Sequence, residues 1–376
     1  MRRRSGKKRV LCVFGTRPEA IKMAPVVHAL ARADSKLQPV VCITDQHREL
    51  LDPMIRFFGL HVDHRLRVMK RDQTPSDVAA GVLARLPAVL EAERPAAVLV
   101  QGDTTTTVAA AVAAFYARVP VGHIEAGLRT YRKDAPFPEE ANRQMTTVLT
   151  DWHFAATRRA RDNLLREGVE RRRVVVTGNP VIDALKWTVA RARSNGKGPV
   201  AKGPRTILVT AHRRESFGEP FEALCRALRA IADRNPDVEL LYPVHPNPKV
   251  QAPVRSLLAS HPRIHLVAPM EYWTLIEALR DAYLVLTDSG GIQEEAPALG
   301  KPVLVMREIT ERPEGVLAGT ARLVGTSEER IVRETERLLN DRRAYLRMSR
   351  AHNPFGDGRA AGRIVRTLRR VLVGRE

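Results

Sequence analysis

Short apolar runs separated by longer stretches of helical spacing fill almost the whole chain. In the first half the runs fall at Val10–Phe14, Pro39–Thr44, Ala97–Val100, Pro120–Ile124, His153–Ala155 and Val174–Thr177. Near-continuous apolar character over so few residues predicts strands covered on both faces, as in a parallel sheet. Helices are predicted between them, for example at Ala20–Ala33, Ser76–Glu93 and Ala160–Glu167. The second half repeats the grammar. Strands are predicted at Ile207–Thr210, Leu240–Val244, Ile264–Val267, Tyr283–Thr287 and Pro302–Met306, and helices at Phe221–Arg234, Trp273–Asp281 and Gly291–Leu299. A last helix is predicted at Gly358–Val373, after the turn sequence NPFGDG. Alternation of this kind predicts the α/β class with two doubly wound, Rossmann-like domains. Ser194–Arg205, SNGKGPVAKGPR, is the one loose Gly/Lys/Pro-rich stretch in the middle and marks the region of the domain boundary. A cleft between two such domains is where small ligands most often bind.

The stretch Val98–Arg129 concentrates the candidate chemistry. It reads as strand, small-residue helix, strand, with Asp103 just beyond the first strand and Glu125 at the end of the second. Ligands of open parallel sheets bind at that carboxyl edge, so two carboxylates there form a candidate active site. The first strand of the chain leads into FGTRPEAIKMAP, where Arg17 and Lys22 sit at a helix start that already favours anions. Its counterpart is TDSGGIQEEAPALGKPV: Ser289, Gly290 and Gly291 outline a phosphate cradle, and Glu294 and Glu295 follow one turn into a helix, where a carboxylate can accept paired bonds from a ribose diol. His212 and His245 stand beyond two other strands, and imidazole is the side chain suited to proton transfer near neutrality. Glu139 and Glu140 lie on a proline-stiffened loop leading into a helix. Taken singly, Arg17 with Lys22 and the two Glu pairs also fit capped or charged helix ends, Asp103 and Glu125 also fit solvated surface charges, and a lone histidine at a strand end is more often structural. Neither GxGxxG nor a Walker loop is present, so nothing points to nicotinamide or ATP.

Charge changes the picture little. The 376 residues carry 62 basic and 42 acidic side chains, a net charge of +20, which raises nucleic-acid binding as a question. The basic residues are dispersed and no nucleic-acid module is recognisable, so an arginine-rich surface suited to anionic substrates is the plainer account. Met1–Lys8 is expected to be a disordered basic leader. Cys12, Cys42 and Cys225 each lie alone in apolar segments, as buried thiols of a cytoplasmic protein do, and no pair has metal-ligand spacing. No apolar run reaches membrane-spanning length.

Together FGTRPEAIKMAP, TDQHRELLD, QGDTTTT, GHIEAGLRT, PFPEEANR, TGNPVIDAL, TAHRRESFG, YPVHPNP, TDSGGIQEEAPALGKPVLVMREITERPE and NPFGDG make the chain resemble the non-hydrolysing UDP-N-acetylglucosamine 2-epimerases, over essentially Val10 to Val373. The resemblance implies the B-type glycosyltransferase arrangement. Residues 1–182, completed by a C-terminal helix in 356–376, would carry the catalytic acids, and residues 183–355 would bind UDP. It implies reversible C2 epimerisation of UDP-N-acetylglucosamine to UDP-N-acetylmannosamine for cell-surface polysaccharide, by anti elimination of UDP through a 2-acetamidoglucal, with no cofactor or metal. The family's essential acids fall on Asp103, Glu125 and Glu139, and its histidine on His212. Nucleotide contacts fall on Arg17, Lys22, Ser289, Gly290, Gly291, Glu295 and Arg312. A second UDP-N-acetylglucosamine acting as activator would meet Gln46, Arg71, Glu140, Arg213 and His245. A cytoplasmic homodimer, with no nucleic acid or membrane partner, completes the expectation. The chain departs from the family at Met270, where a Gln is frequent before the Glu-Tyr pair, which puts a polar contact to uracil in doubt.

Rival readings are a sister epimerase of a modified UDP-sugar, a hydrolysing epimerase, an inverting glycosyltransferase on the same fold and, from another class, a basic nucleic-acid binder. A transferase needs an acceptor surface and usually one base, whereas three acids and a histidine are expected here.

Overall fold

The structure is a computed structural model and describes residues 7–32, 36–70, 72–194, 204–213 and 216–374. Most of the expected basic leader, and Arg71, lie outside these residues. The chain divides into two compact units, Met1–Ala184 with Gly356–Glu376, and Leu185–Phe355. The division falls inside the helix Pro180–Ser194, upstream of the loose stretch Ser194–Arg205.

In the first unit the strands are β1 (Lys8–Phe14), β2 (Leu37–Ile43), β3 (His64–Arg65), β4 (Ala97–Gln101), β5 (Val121–Ala126), β6 (Trp152–Ala155) and β7 (Val174–Val176). They form one parallel sheet in the order β3-β2-β1-β4-β5-β6-β7. Val10 to Phe14 and Ala97 to Val100 are fully buried, as central strands covered on both faces must be. Each such Val or Leu contributes roughly 1.5–3 kcal/mol on burial. Helices start where the sequence supplies caps: the Thr104 hydroxyl accepts from Thr107 N at 3.2 Å to open Thr105–Tyr116, and Thr157 accepts from Ala160 N at 3.0 Å to open Arg158–Arg166. The final helix, Ala360–Leu372, belongs to this unit. Asp183 accepts its first two backbone N–H groups, from Ala360 at 3.1 Å and Ala361 at 3.0 Å, and Arg363 donates to Thr177 O at 3.0 Å.

The second unit contains β8 (Arg205–Thr210), β9 (Val238–Pro243), β10 (Ile264–Val267), β11 (Leu284–Thr287), β12 (Val303–Val305) and β13 (Ala321–Leu323), all parallel, in the order β10-β9-β8-β11-β12-β13. Its core is built by Ile207, Val209, Leu240, Tyr242, Leu284 and Leu286 from the sheet and by Phe221, Leu228, Ile231 and Ile331 from the helices. In both units the strand order reverses beside the first strand, so the loops after β1 and β4, and after β8 and β11, border the crevice where such sheets bind ligands. Among the described residues no helix is long and apolar enough to cross a membrane. The three cysteines are buried, and burial pushes each thiol up to about 12.

Candidate functional site

In the first unit the crevice is drawn tight at Gly15. A Cβ there would stand 1.9 Å from Thr44 Oγ1 and 2.9 Å from Thr106 Oγ1, so only glycine lets β1 leave the sheet between β2 and β4. The loop that follows is pinned by Glu19. Its Oε2 accepts from Gly15 N at 2.9 Å and Thr16 N at 2.8 Å, and its Oε1 from the Thr104 hydroxyl at 2.7 Å. Burial pushes this carboxyl above its usual pKa, and the bonds from Gly15, Thr104 and Thr16 oppose that shift without cancelling it. Glu19 was not among the expected site residues, although the Thr16-x-x-Glu19 spacing of a capping box was there to be seen.

Glu125 occupies a break in the β5–β6 register between Ile124 and Ala126, with φ of +67°. Holding a non-glycine residue in that left-handed region costs on the order of 1–3 kcal/mol. The distortion turns the carboxylate toward three donors. Oε2 accepts from Lys22 Nζ at 2.6 Å and from Gln101 Nε2, and Oε1 accepts from Asn179 Nδ2 at 2.9 Å. Lys22, expected at the diphosphate, is thus paired with a carboxylate, and both are nearly buried. Removing either partner would strand the other charge at about 3–5 kcal/mol. Asp103 is held differently: Arg143 grips its Oδ2 from Nε at 2.9 Å and from Nη2 at 2.7 Å, and Asn142 donates to its main-chain carbonyl at 2.9 Å.

Lys22, Gln46, Asp103, Glu125 and Glu139 all line one cavity of about 360 Å³. Glu139 is half-buried at the first position of the helix Glu139–Leu149. Its neighbour Glu140 turns the other way. It is fully buried and accepts from Thr130 N, Tyr131 N, Arg143 and Gln144. Burial alone would raise its pKa, but the four donors win and hold the carboxyl below the usual range. Its contacts make it a clamp on the 130–131 loop. Beneath the cavity, His123 bonds the Gly102 carbonyl through Nε2 at 2.7 Å, and its strand partner is His153. Burial lowers His123 to about 4 and His153 to about 3, so both rings are neutral at pH 7. Arg17 is exposed at the start of its helix.

In the second unit the loop after β8 is pinned by Asp288, the residue after β11. Its Oδ2 accepts from His212 N at 2.6 Å and Arg213 N at 2.7 Å. The His212 ring stacks on His245, with centroids 5.3 Å apart and planes 10° from parallel. Burial, followed by the neighbouring His212, lowers the pKa of His245. In the Ser289-Gly290-Gly291 turn, Ser289 N donates to Thr287 Oγ1 at 2.9 Å and Gln293 donates to Ser289 O at 3.1 Å. Glu294 and Glu295 part company. Glu294 is buried against Arg312, whose Nε lies 2.5 Å from Oε1, so the guanidinium expected at the nucleotide is engaged by an acid of its own unit. Glu295 neighbours Tyr272, whose phenol is pushed well above its usual pKa by burial and then by that carboxylate. Arg213 Nη1 lies 3.8 Å from Glu311.

Each unit therefore gathers most of its own expected groups at its own sheet edge. Of the residues that do the gathering, Gln101, Asn179 and Asp288 carry no signal in periodicity, because their partners are distant in sequence, whereas Glu19 is marked only by its local capping box.

Comparison with known proteins gives the family of the chain. Residues 29–369 match the model of the UDP-N-acetylglucosamine 2-epimerase family. A probable UDP-N-acetylglucosamine 2-epimerase of Ralstonia nicotianae is 54% identical over 96% of this chain and 98% of its own length. The UDP-N-acetylglucosamine 2-epimerase of Escherichia coli K12 is 51% identical over the same shares. The crystal structure of the UDP-GlcNAc 2-epimerase of Neisseria meningitidis bound to UDP-GlcNAc matches with a TM-score of 0.88 at 44% identity, covering 96% of this chain and 99% of that one. With two parallel Rossmann-like sheets and this likeness along nearly its whole length, the chain belongs to the UDP-N-acetylglucosamine 2-epimerase family of enzymes.

Proposed function

We propose that the enzyme interconverts UDP-N-acetylglucosamine and UDP-N-acetylmannosamine without net hydrolysis. A carboxylate takes the C2 proton, and the electron pair of the C1–O bond leaves with UDP in an anti elimination, giving 2-acetamidoglucal. A diphosphate oxygen then bonds again to C1 while a carboxylic acid delivers a proton to the other face of C2. The observation that carries this reading is the presence of Asp103, Glu125 and Glu139 around a single cavity. The C2 proton is weakly acidic, and a placed carboxylate is worth about 10²–10⁴ in rate for such a transfer. Two faces of C2 need two carboxyl groups, and the cavity supplies them with one to spare. Glu125 is fixed in place by three donors.

The leaving group calls for cations and N–H donors where negative charge grows. The second unit offers the His212 imidazole and the Ser289-Gly290-Gly291 turn, and Arg17 of the first unit stands exposed at its helix start. Incubation with UDP-N-acetylglucosamine in heavy water, followed by NMR at C2 and an assay of free UDP, tests the proposal. Deuterium at C2 of both epimers with little UDP released is the expected result. Stoichiometric UDP with free N-acetylmannosamine would replace it by the hydrolysing reaction, and absence of both exchange and a second epimer would end it.

A further inference from the structure

Asp288 is tied to the active-site candidate more closely than loop support requires. Its backbone N–H donates to Thr210 O at 3.0 Å, which fixes its main chain against β8. Its side chain is buried, with one oxygen taken by the N–H groups of His212 and Arg213. The other oxygen, Oδ1, is also buried, has no hydrogen-bond partner among the described residues, and lies 3.3 Å from His212 Nδ1. A carboxylate offers only acceptors, and a buried acceptor needs a donor. Of the two tautomers of the His212 ring, only the one with its proton on Nδ1 can supply a donor at that separation, once a small tilt of the ring brings the N–H into line with Oδ1.

His245 constrains the same ring from another direction. It stacks on the face of His212, and its own Nδ1 accepts from Asn247 N at 3.1 Å, which leaves its proton on Nε2. Burial and the neighbouring His212 disfavour a charge on His245. The stack sets the plane of the His212 ring, so the remaining freedoms are rotation within that plane and the position of the proton. Arg213, the next residue on the loop, faces Glu311 at 3.8 Å. The His212 side chain keeps 39% of its surface exposed.

We propose that Asp288 is a positioning residue for His212: one oxygen holds the loop by two backbone N–H groups, and the other keeps the proton on Nδ1, leaving Nε2 to meet the departing diphosphate. The same division of labour between a buried Asp and an imidazole fixes the tautomer in hydrolytic triads. The inference rests on the reading of His212 given above only for what Nε2 meets. The tautomer itself stands on the geometry of the second unit.

Nitrogen NMR of the full-length enzyme with labelled histidine tests it, the His212 signals being assigned by their loss in His212→Asn. In the natural protein at about pH 8, Nδ1 of His212 is expected to carry the proton. In Asp288→Asn the amide oxygen can still accept both backbone N–H groups, but its NH₂ now faces Nδ1 and demands the opposite tautomer. A switch to bare Nδ1 is expected, with kcat down on the order of a hundredfold, KM within about threefold, and the thermal midpoint little changed. A bare Nδ1 in the natural protein overturns the proposal whatever the variant does. An unchanged tautomer or unchanged kcat in a folded Asp288→Asn overturns it equally. If the natural enzyme shows no C2 exchange, the epimerase mechanism falls while the tautomer still decides the role of Asp288.

Discussion

The two units wind their sheets in the same order, and each pins the loop after its first strand with one carboxylate, yet the acids come from opposite sides. In the first unit Glu19, from the helix that follows β1, takes Gly15 N and Thr16 N. In the second, Asp288, from the end of β11, takes His212 N and Arg213 N. Because the first unit spends a helix residue on the loop, its strand-end positions are left free to place Asp103 and Glu125 at the cavity. The second unit uses its strand-end acid for the loop and keeps an imidazole and backbone N–H groups at the edge. One topology thereby yields one edge lined by carboxylates and another that presents an imidazole and backbone N–H groups, according to which residue closes the first turn.

The comparison breaks most visibly under substitution of the acids. Asp103→Asn or Glu125→Gln should lower C2 exchange at least about a thousandfold, while UDP binding by calorimetry and the circular dichroism spectrum stay close to those of the natural protein. Loss of UDP affinity in parallel with exchange would mean that these acids serve the nucleotide as well as the sugar. The glycines sharpen it next. Gly15→Ala forces a methyl against Thr44 and should destabilise the protein by about 1–3 kcal/mol in urea unfolding. Gly290→Ala meets only Arg213 Nη2, at 3.8 Å, and should change stability by less than about 1 kcal/mol while weakening UDP binding. If Gly290→Ala binds UDP normally, that turn is not a phosphate cradle.

The last effect is one of pH. His123 is buried with its pKa lowered to about 4, so the folded protein resists a proton that the unfolded chain accepts near 6.5. Below about pH 6.5 the unfolded state binds more protons, and stability falls as pH drops from there toward about 4. His123→Gln removes that term. Its stability should fall less steeply with acid than that of the natural protein, by up to about 1.4 kcal/mol per pH unit. Parallel acid limbs would show that His123 does not contribute.

Much of this is legible in apolar runs, since buried parallel strands must be apolar throughout, and 11 of the 13 strands among the described residues coincide with such runs. β3 escapes because it is two polar residues, His64 and Arg65, and β13 because it is three residues at a sheet edge. The helix Pro248–Leu258 is masked by Pro253 in its interior. Glu328–Asn340 is not among the predicted helices, although Ser327 caps it and Ile331, Val332, Thr335, Leu338 and Leu339 share a face. At the site, residue type and strand-end position pick out Asp103, Glu125 and His212. They do not separate Glu139 from Glu140, or Glu295 from Glu294, because adjacent helical acids differ only in the direction they turn, which tertiary partners such as Arg143 and Arg312 decide.

Asp183 and the final helix carry a consequence for how the chain is made. The acid precedes the two N–H groups it caps, those of Ala360 and Ala361, by 177 and 178 residues. On the ribosome the whole of Leu185–Phe355 emerges in between. That unit is continuous in sequence and has every strand it needs as soon as it is exposed. The first unit, though synthesised first, must wait through nearly half of translation with its helix-capping acid unanswered, and it is the last of the two to be completed.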